Sequence, residues 1–461
     1  MNFRDFILTL CVTFLTKAYT QKTLPVNPIP NKAQLAWQKA ELGAVFHYDL
    51  HVFDNKKYRQ TGTSGNRINP IPDHQIFNPE QLDTDQWIKA IKKAGFKFAL
   101  LTATHETGFA LYPSDVNPYS VKTLKWKDGK GDIVRDFVNS CRKYGIQPGI
   151  YVGIRWNSFF GVHDFKVNGA GEFQKKRQAY YNQMVEGMVT ELCTRYGPLF
   201  EIWFDGGASH PDLGAPDVLP ILKKYQPDCL FYHNNQLAEA RWGGSESGTV
   251  PYPCWATFPT PYSHSGDTNA DHINLLKHGD PDGAYWMPAM SDAPLRGYNG
   301  RHEWFWEPGD EEHIFPLEEL MHMYYNSVGH NSTLIMGLTP DPRGLLPEAD
   351  VKRLEEWGAA IKKNFSKPIA STSAKGNQIV LSLDNPQTIS NIVIQEDITM
   401  GQRVRAYSIQ AYTKGQWKII AQGESIGHKR IHPIQPIEVE QLKLVIDQKI
   451  LPPIIEQFSV Y

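Results

Sequence analysis

The 461-residue sequence is poor in cysteine: it has five, and Cys11 lies inside an apolar run near the N-terminus. The other four, Cys141, Cys193, Cys229 and Cys254, show no CxxC spacing, which excludes a disulfide framework and a zinc ribbon and predicts buried free thiols. Charge of either sign is also scarce in excess. A formal net charge of -2 and a pI near 6.8 point away from nucleic acid and from acidic membrane surfaces as partners. No apolar stretch is long enough to insert across a bilayer, since the run Phe6 to Phe14 falls well short of a span. There is no internal repeat, no low-complexity segment and no HExxH helix. His47 and His51 are four apart in a polar loop, so no catalytic metal is expected.

What is present is a large apolar complement, 41% hydrophobic and 12% aromatic, sufficient for an extensive core and two domains. Twelve Trp and 21 Tyr suit a protein that stacks on flat apolar faces, sugar rings among them. Arg4 precedes the apolar run, and Ala18-Tyr19-Thr20 resembles a small-residue cleavage site. Residues 1–20 therefore read as a signal peptide, and the protein is expected to be exported, periplasmic or secreted. Cys11 follows Leu10 without the small residues of a lipoprotein site, so no lipid anchor is expected.

Strand-like and helix-like stretches then alternate. Ala44–Tyr48, Phe98–Thr102, Pro148–Val152, Leu199–Phe204, Cys229–Tyr232 and Thr333–Met336 read as buried strands, with Cys254–Ala256 and Ala284–Met287 as weaker candidates for the sixth and seventh. Between them lie amphipathic helices, one capped by Asp83 or Thr84 and stopped at Gly95, another spanning 131–144 and stopped at Gly145. Eight strands interleaved with helices predict an α/β fold, a (β/α)8-like (TIM) barrel over residues 21–366. From Lys367 the helical period disappears. Short strands around Ile379, Ile392, Ile409, Ile419 and Leu444, split by turns, predict a small all-β sandwich over 367–461.

Active sites of such barrels lie at the C-terminal ends of the strands, where His47, His105, Arg155, Asp205 and His233 all fall. Asp205 ends Phe200-Glu201-Ile202-Trp203-Phe204, and Gly206-Gly207 let the chain turn away. A carboxylate beside Trp203 and Phe204 loses hydration, so it must be paired, hydrogen-bonded or used. Retaining hydrolysis of a glycosidic bond needs two carboxyl groups about 5 to 5.5 Å apart, one nucleophilic and one acidic. Asp205 is the candidate nucleophile. The candidate acid is Glu246, in the Gly-rich loop Arg241-Trp242-Gly243-Gly244-Ser245-Glu246, with Glu106, Glu303 and Glu307 as rivals by chemistry alone.

These segments resemble glycoside hydrolase family 29, the retaining α-L-fucosidases. Phe200 to Gly206 is similar to that family's nucleophile motif, and Leu101-Thr102-Ala103-Thr104-His105-Glu106-Thr107-Gly108-Phe109 to its histidine loop. Trp126 to Asp132 and Leu317 to Gly329 match further segments, and the likeness runs from about Leu42 to the end of the chain. It implies a covalent fucosyl-enzyme on Asp205 and acid/base work by Glu246. His47, His105, Trp156 and His233 would line the sugar pocket, with Glu106 and Trp203 beside them. An oligosaccharide or glycoconjugate substrate and no cofactor are implied, as are preference for α-1,3/1,4 linkages and a galactose-binding, discoidin-like sandwich expected to buttress the barrel. The family's second histidine is Glu106 here, its following Asp is Thr107, and its Glu-Trp pair after the first strand is not evident between Tyr48 and Arg67. These changes leave open a related, galactose-configured sugar, or a carbohydrate-binding protein without turnover.

Overall fold

The computed structural model describes residues 27–54, 73–232, 234–263, 269–301 and 304–461. The expected signal peptide therefore lies outside the described residues. Eight barrel strands follow in chain order: β1 (Leu42–Phe46), β2 (Phe98–Thr104), β3 (Gln147–Val152), β4 (Glu201–Phe204), β5 (Leu230–Tyr232), β6 (Arg241–Trp242), β7 (Ala289–Pro294) and β8 (Thr333–Leu338). All pairings are parallel, in the order β5-β4-β3-β2-β1-β8-β7-β6. The last seam, between β5 and β6, is closed by a single parallel bridge, Tyr232 to Ala240. The strands are buried almost throughout, as the near-continuous apolar runs require of a sheet covered on both faces.

The helices α1 (Lys32–Ala40), α2 (Thr84–Ala94), α3 (Ile133–Tyr144), α4 (Gly171–Arg195), α5 (Leu219–Tyr225), α6 (Ala270–His278), α7 (Leu317–Asn326) and α8 (Glu348–Phe365) accompany the strands. α2 and α3 begin and end as their sequences dictate. The Asp83 carboxylate accepts from the Gln86 N–H at 3.0 Å and Asp132 from Arg135 at 2.9 Å. Gly95 and Gly145 terminate them with φ of 95° and 68°, a region that costs a residue with Cβ about 1–2 kcal/mol. α1 lies under the barrel, where the Trp37 indole N–H donates to Glu201 at 2.8 Å. Burial pushes the Glu201 carboxyl up to about 8, against the pull of that hydrogen bond. One short strand thus carries a buried acid at its base and Asp205 just beyond its upper end.

Two expected strands are displaced. Ala284–Met287 contributes Tyr285–Trp286 to a two-stranded hairpin with Thr257–Phe258 instead of entering the barrel, and Cys254–Ala256 is the segment leading into that hairpin. The seventh strand is β7, and the sixth is the two-residue β6, in the stretch read as loop. Arg241 makes β6 illegible as a buried strand. Its side chain is nevertheless fully buried, because the guanidinium donates to the carbonyls of Leu276 (2.9 Å), Trp255 (2.8 Å) and Met287. A buried cation is tolerated when its donors are satisfied. The four thiols, Cys141, Cys193, Cys229 and Cys254, are free and buried.

The C-terminal strands β9 (Ala370–Lys375), β10 (Gln378–Glu396), β11 (Val404–Thr413), β12 (Gln416–Gly423), β13 (Arg430–Lys449) and β14 (Ile454–Val460) form one antiparallel sheet in the order β9-β14-β10-β13-β11-β12. Register shifts divide its long strands. Gln378–Ser382 of β10 pairs with Gln441–Val445, in the half of β13 that also pairs with β11. Gln387–Ile394 pairs with the other half of β13 and borders β14. Two layers therefore share β10 and β13, and Ile379, Leu381, Ile392, Tyr407, Ile409 and Phe458 from both layers make one core. This sandwich grips the barrel at the entrance of its strands. The Lys429 ammonium and the His428 ring meet the Glu41 carboxylate, just before β1, at 2.6 and 2.7 Å. Burial alone would raise the Glu41 carboxyl, but these two partners outweigh it and hold it down at about 2. Asn331, just before β8, accepts the His428 N–H at 2.7 Å.

Candidate active site

The opposite end of the barrel, where the strands exit, is lined with aromatics. His47 follows β1, and His105 follows β2. Tyr151 of β3 stacks on His105 (5.3 Å between centroids, 8° between planes), Trp203 of β4 leans on Tyr151 at 5.6 Å, and Tyr232 of β5 on Trp203 at 4.7 Å. Trp304 and Phe305, on the segment after β7, close the other side, with centroids 5.0 and 5.6 Å from His47. Rings from five strand ends thus line one small cup. Burial lowers the His47 pKa to about 3, against the opposing charge of Glu246. Its imidazole is therefore neutral at working pH, with one N–H to donate and one nitrogen to accept, a match for ring hydroxyls.

Acidic groups converge on the same cup. Asp205 follows β4 and is half-buried, and Gly206 and Gly207 adopt φ of 65° and 89°. A Cβ on Gly206 would lie 2.6 Å from Cδ of Arg155 and 3.3 Å from the Trp156 ring, so glycine is required both for conformation and for space. Glu246 is held by the Trp304 indole N–H, which donates to its Oε2 at 3.0 Å. The third carboxyl, Asp292 of β7, accepts from the Trp242 indole at 3.1 Å, while its backbone carbonyl accepts the Gly248 N–H at 2.7 Å. That last bond ties the Glu246 loop to β7. Burial, then the charges of Glu246 and Asp205, push the Asp292 carboxyl well above the usual range. The Tyr232 hydroxyl is pushed up by burial and by Asp292, Glu201, Asp205 and Glu246.

The structure thus brings together Asp205, Glu246, His47, His105 and Trp203. Trp156 is half-buried under the Arg155 guanidinium, 4.6 Å from its ring centroid. Glu106 is buried and, after burial itself and against hydrogen bonds from Thr107 and Leu50, helps push Asp49 up to about 7. The Thr107 hydroxyl lies 2.7 and 2.8 Å from the Asp49 oxygens, so Asp49 and Thr107 form a polar pair behind the histidine loop. His233 and Glu303 lie outside the described residues. Sequence reasoning missed Asp292 and Trp304. Asp292 stands in Ala289-Met290-Ser291-Asp292-Ala293-Pro294, which would have marked a strand end had β7 been placed correctly. Nothing local marks Trp304.

An acid whose pKa is raised by its surroundings opposes folding once the pH exceeds its unfolded value. The unfolded Asp292 ionises at about 3.9, so the penalty grows as pH rises above that value, until the folded pKa is reached. Asp292→Asn keeps the acceptor for Trp242 and removes the penalty. The variant is expected to be more stable than wild type at pH 7 and nearly equal to it at pH 4, read from urea unfolding at the two pH values. Equal stability at both would show that Asp292 ionises normally.

The model of the α-L-fucosidase family matches residues 26–365. The chain belongs to the α-L-fucosidase family. Among its relatives, α-L-fucosidase 1 of Arabidopsis thaliana is 28% identical over 95% of this chain and 88% of its own length. The plasma α-L-fucosidase of Rattus norvegicus is 26% identical over 63% of this chain and 56% of its own. A crystal structure from Bacteroides thetaiotaomicron, provisionally assigned as an α-L-fucosidase, superposes with a TM-score of 0.91 at 58% identity, covering 94% of this chain and 99% of that one. A glycoside hydrolase family 29 fucosidase of Ruminococcus gnavus in complex with fucose has the same fold, with a TM-score of 0.77 at 23% identity over 95% of this chain and 96% of that one. The chain is therefore a glycoside hydrolase of the fucosidase family, and a glycan is its substrate class. Among the described residues no helix is long and apolar enough to cross a membrane.

Proposed function

We propose that this protein is an exported, retaining exo-α-L-fucosidase that removes terminal, α-1,3/1,4-linked fucose, with Asp205 as nucleophile and Glu246 as acid/base. The observation that carries the reading is the convergence of both carboxyl groups on one aromatic cup, Asp205 at a barrel strand end and Glu246 held by the Trp304 indole. Asp205 attacks the anomeric carbon and forms a covalent glycosyl-enzyme while Glu246 gives its proton to the leaving oxygen. Glu246 then takes a proton from the water that releases the sugar. Neutral His47, together with His105, hydrogen-bonds ring hydroxyls, and Trp203, Trp304 and Phe305 exclude water and cover the sugar's apolar face. Residues 21–366 form the catalytic domain and 367–461 a support, consistent with the sandwich's grip on the strand entrances rather than on the rim.

The test is hydrolysis of an aryl α-L-fucoside followed by proton NMR. The expected first product is α-L-fucose, which mutarotates afterwards. A β-anomer first would exclude the covalent route, and no turnover of fucosides with turnover of another glycoside would reassign the sugar.

A further inference from the structure

We propose that a second pocket on the rim, beside the cup, binds an anionic group on the saccharide attached to the cleaved sugar. The inference rests on the glycosidase reading above and adds the class of leaving group. The pocket, about 300 Å³, is built from the loops after β3, β4 and β5, and Gly206, the residue following Asp205, is part of its wall. A leaving saccharide must emerge over the rim, of which these loops form one side, because the barrel below is filled by its own core.

Its polar groups favour a negative charge. Arg155 spends its Nε on Asp164 at 2.8 Å, and among the described residues its two outer nitrogens hold no hydrogen bond. They form a fork suited to two parallel bonds with a sulfate ester or a carboxylate. The fork is held rather than loose, since the guanidinium lies over the Trp156 ring and its Nη1 would be 2.8 Å from a Cβ on Gly206. Lys166, on the small hairpin Val162–His163/Lys166–Val167, is exposed and makes no ion pair among the described residues. The one acidic side chain lining the pocket, Asp164, balances a single one of the two cations. Asp212 turns instead to His210 at 3.2 Å.

Neutral sugar contacts are there as well. The side-chain oxygen of Asn235 is buried without a hydrogen-bond partner among the described residues, ready to accept a hydroxyl. Phe165 and Leu213, the latter 71% exposed, supply apolar surface for a pyranose face. A leaving saccharide bearing a sulfate or carboxylate would satisfy the fork, the lysine and the amide together.

The experiment compares α-L-fucosides of 2-naphthol, of a sulfonated 2-naphthol and of a carboxylated 2-naphthol, using wild type and Lys166→Glu. The readout is the ratio of wild-type to variant kcat/KM on each substrate, which cancels differences in leaving-group reactivity. The expected ratio is about tenfold on the charged substrates and less than about twofold on the neutral one, and the difference should shrink in 0.5 M NaCl. The larger of the two charged ratios tells sulfate from carboxylate as the preferred group. Equal ratios on all three substrates overturn the anionic pocket while leaving the fucosidase reading intact. A wild type silent on every fucoside, the neutral one included, overturns that reading and the pocket with it. Lys166 is exposed, and unchanged thermal unfolding confirms that the variant folds.

Discussion

Asp205→Ala is expected to lose turnover of all fucosides by roughly 10⁴-fold or more, whatever the leaving group. The reason is the position of the residue rather than its mere acidity. Asp205 immediately follows β4, and Gly206 and Gly207 carry the backbone away in a conformation that leaves it at the strand end. The third carboxyl of the cup cannot substitute for it: Asp292 is buried, held by Trp242 and pushed toward its neutral form, which is not a nucleophile. A good aryl leaving group does not relieve the defect, because the missing step is attack. Azide can occupy the vacated space, and it should restore part of the rate while producing β-L-fucosyl azide, the product of a single inversion. Wild-type rates in Asp205→Ala, or an α-azide from it, would move the nucleophile elsewhere.

Glu246→Ala should differ in kind. On glycans, whose leaving alcohols need a proton, the expected loss is about 10²–10⁴-fold. On a dinitrophenyl fucoside the first step needs little acid help, so glycosyl-enzyme formation survives and its hydrolysis becomes slow. Azide then attacks the covalent intermediate from the face where water would have come, and the product is α-L-fucosyl azide, the result of two inversions. The opposite anomers from the two variants separate nucleophile from acid/base in one experiment. The pH profile gives a second readout, because the basic limb of kcat/KM set by Glu246 should vanish in Glu246→Ala. Persistence of that limb, with no azide product, would assign the acid to another carboxyl of the cup. Trp304 enters here as a positioning residue, since its indole N–H fixes the Glu246 oxygen at 3.0 Å.

The parts of this protein legible from the chain are those where local pattern and final environment agree. Predominantly apolar runs became β2, β3, β4 and β8, and Asp83 and Asp132 with Gly95 and Gly145 bounded two helices as expected. Asp205 stands out in the chain because a carboxylate that follows an aromatic run and precedes two glycines loses hydration at the end of a buried strand, and that cost has to be offset by a partner or a use. The sixth and seventh strands failed for a related reason. Arg241 looks like a surface residue until three carbonyls, from Trp255, Leu276 and Met287, are folded around it. With β6 hidden, the apolar pattern points to the hairpin segment Ala284–Met287, and the real β7, with Asp292 inside it, goes unmarked.

Composition, periodicity and motif order therefore determined the barrel, the sandwich and the identity of the two carboxyl groups proposed for catalysis, because each depends on residues close together in the chain. The tertiary structure alone decided the third carboxyl, the indole that orients Glu246, and the Arg155–Lys166 pocket. Each of these joins residues from different strands or from the loops after them, and only chain closure around the barrel makes Trp304 a neighbour of Glu246, or Lys166 of Gly206. Such contacts depend on distances between residues far apart in sequence, and no local pattern encodes those distances.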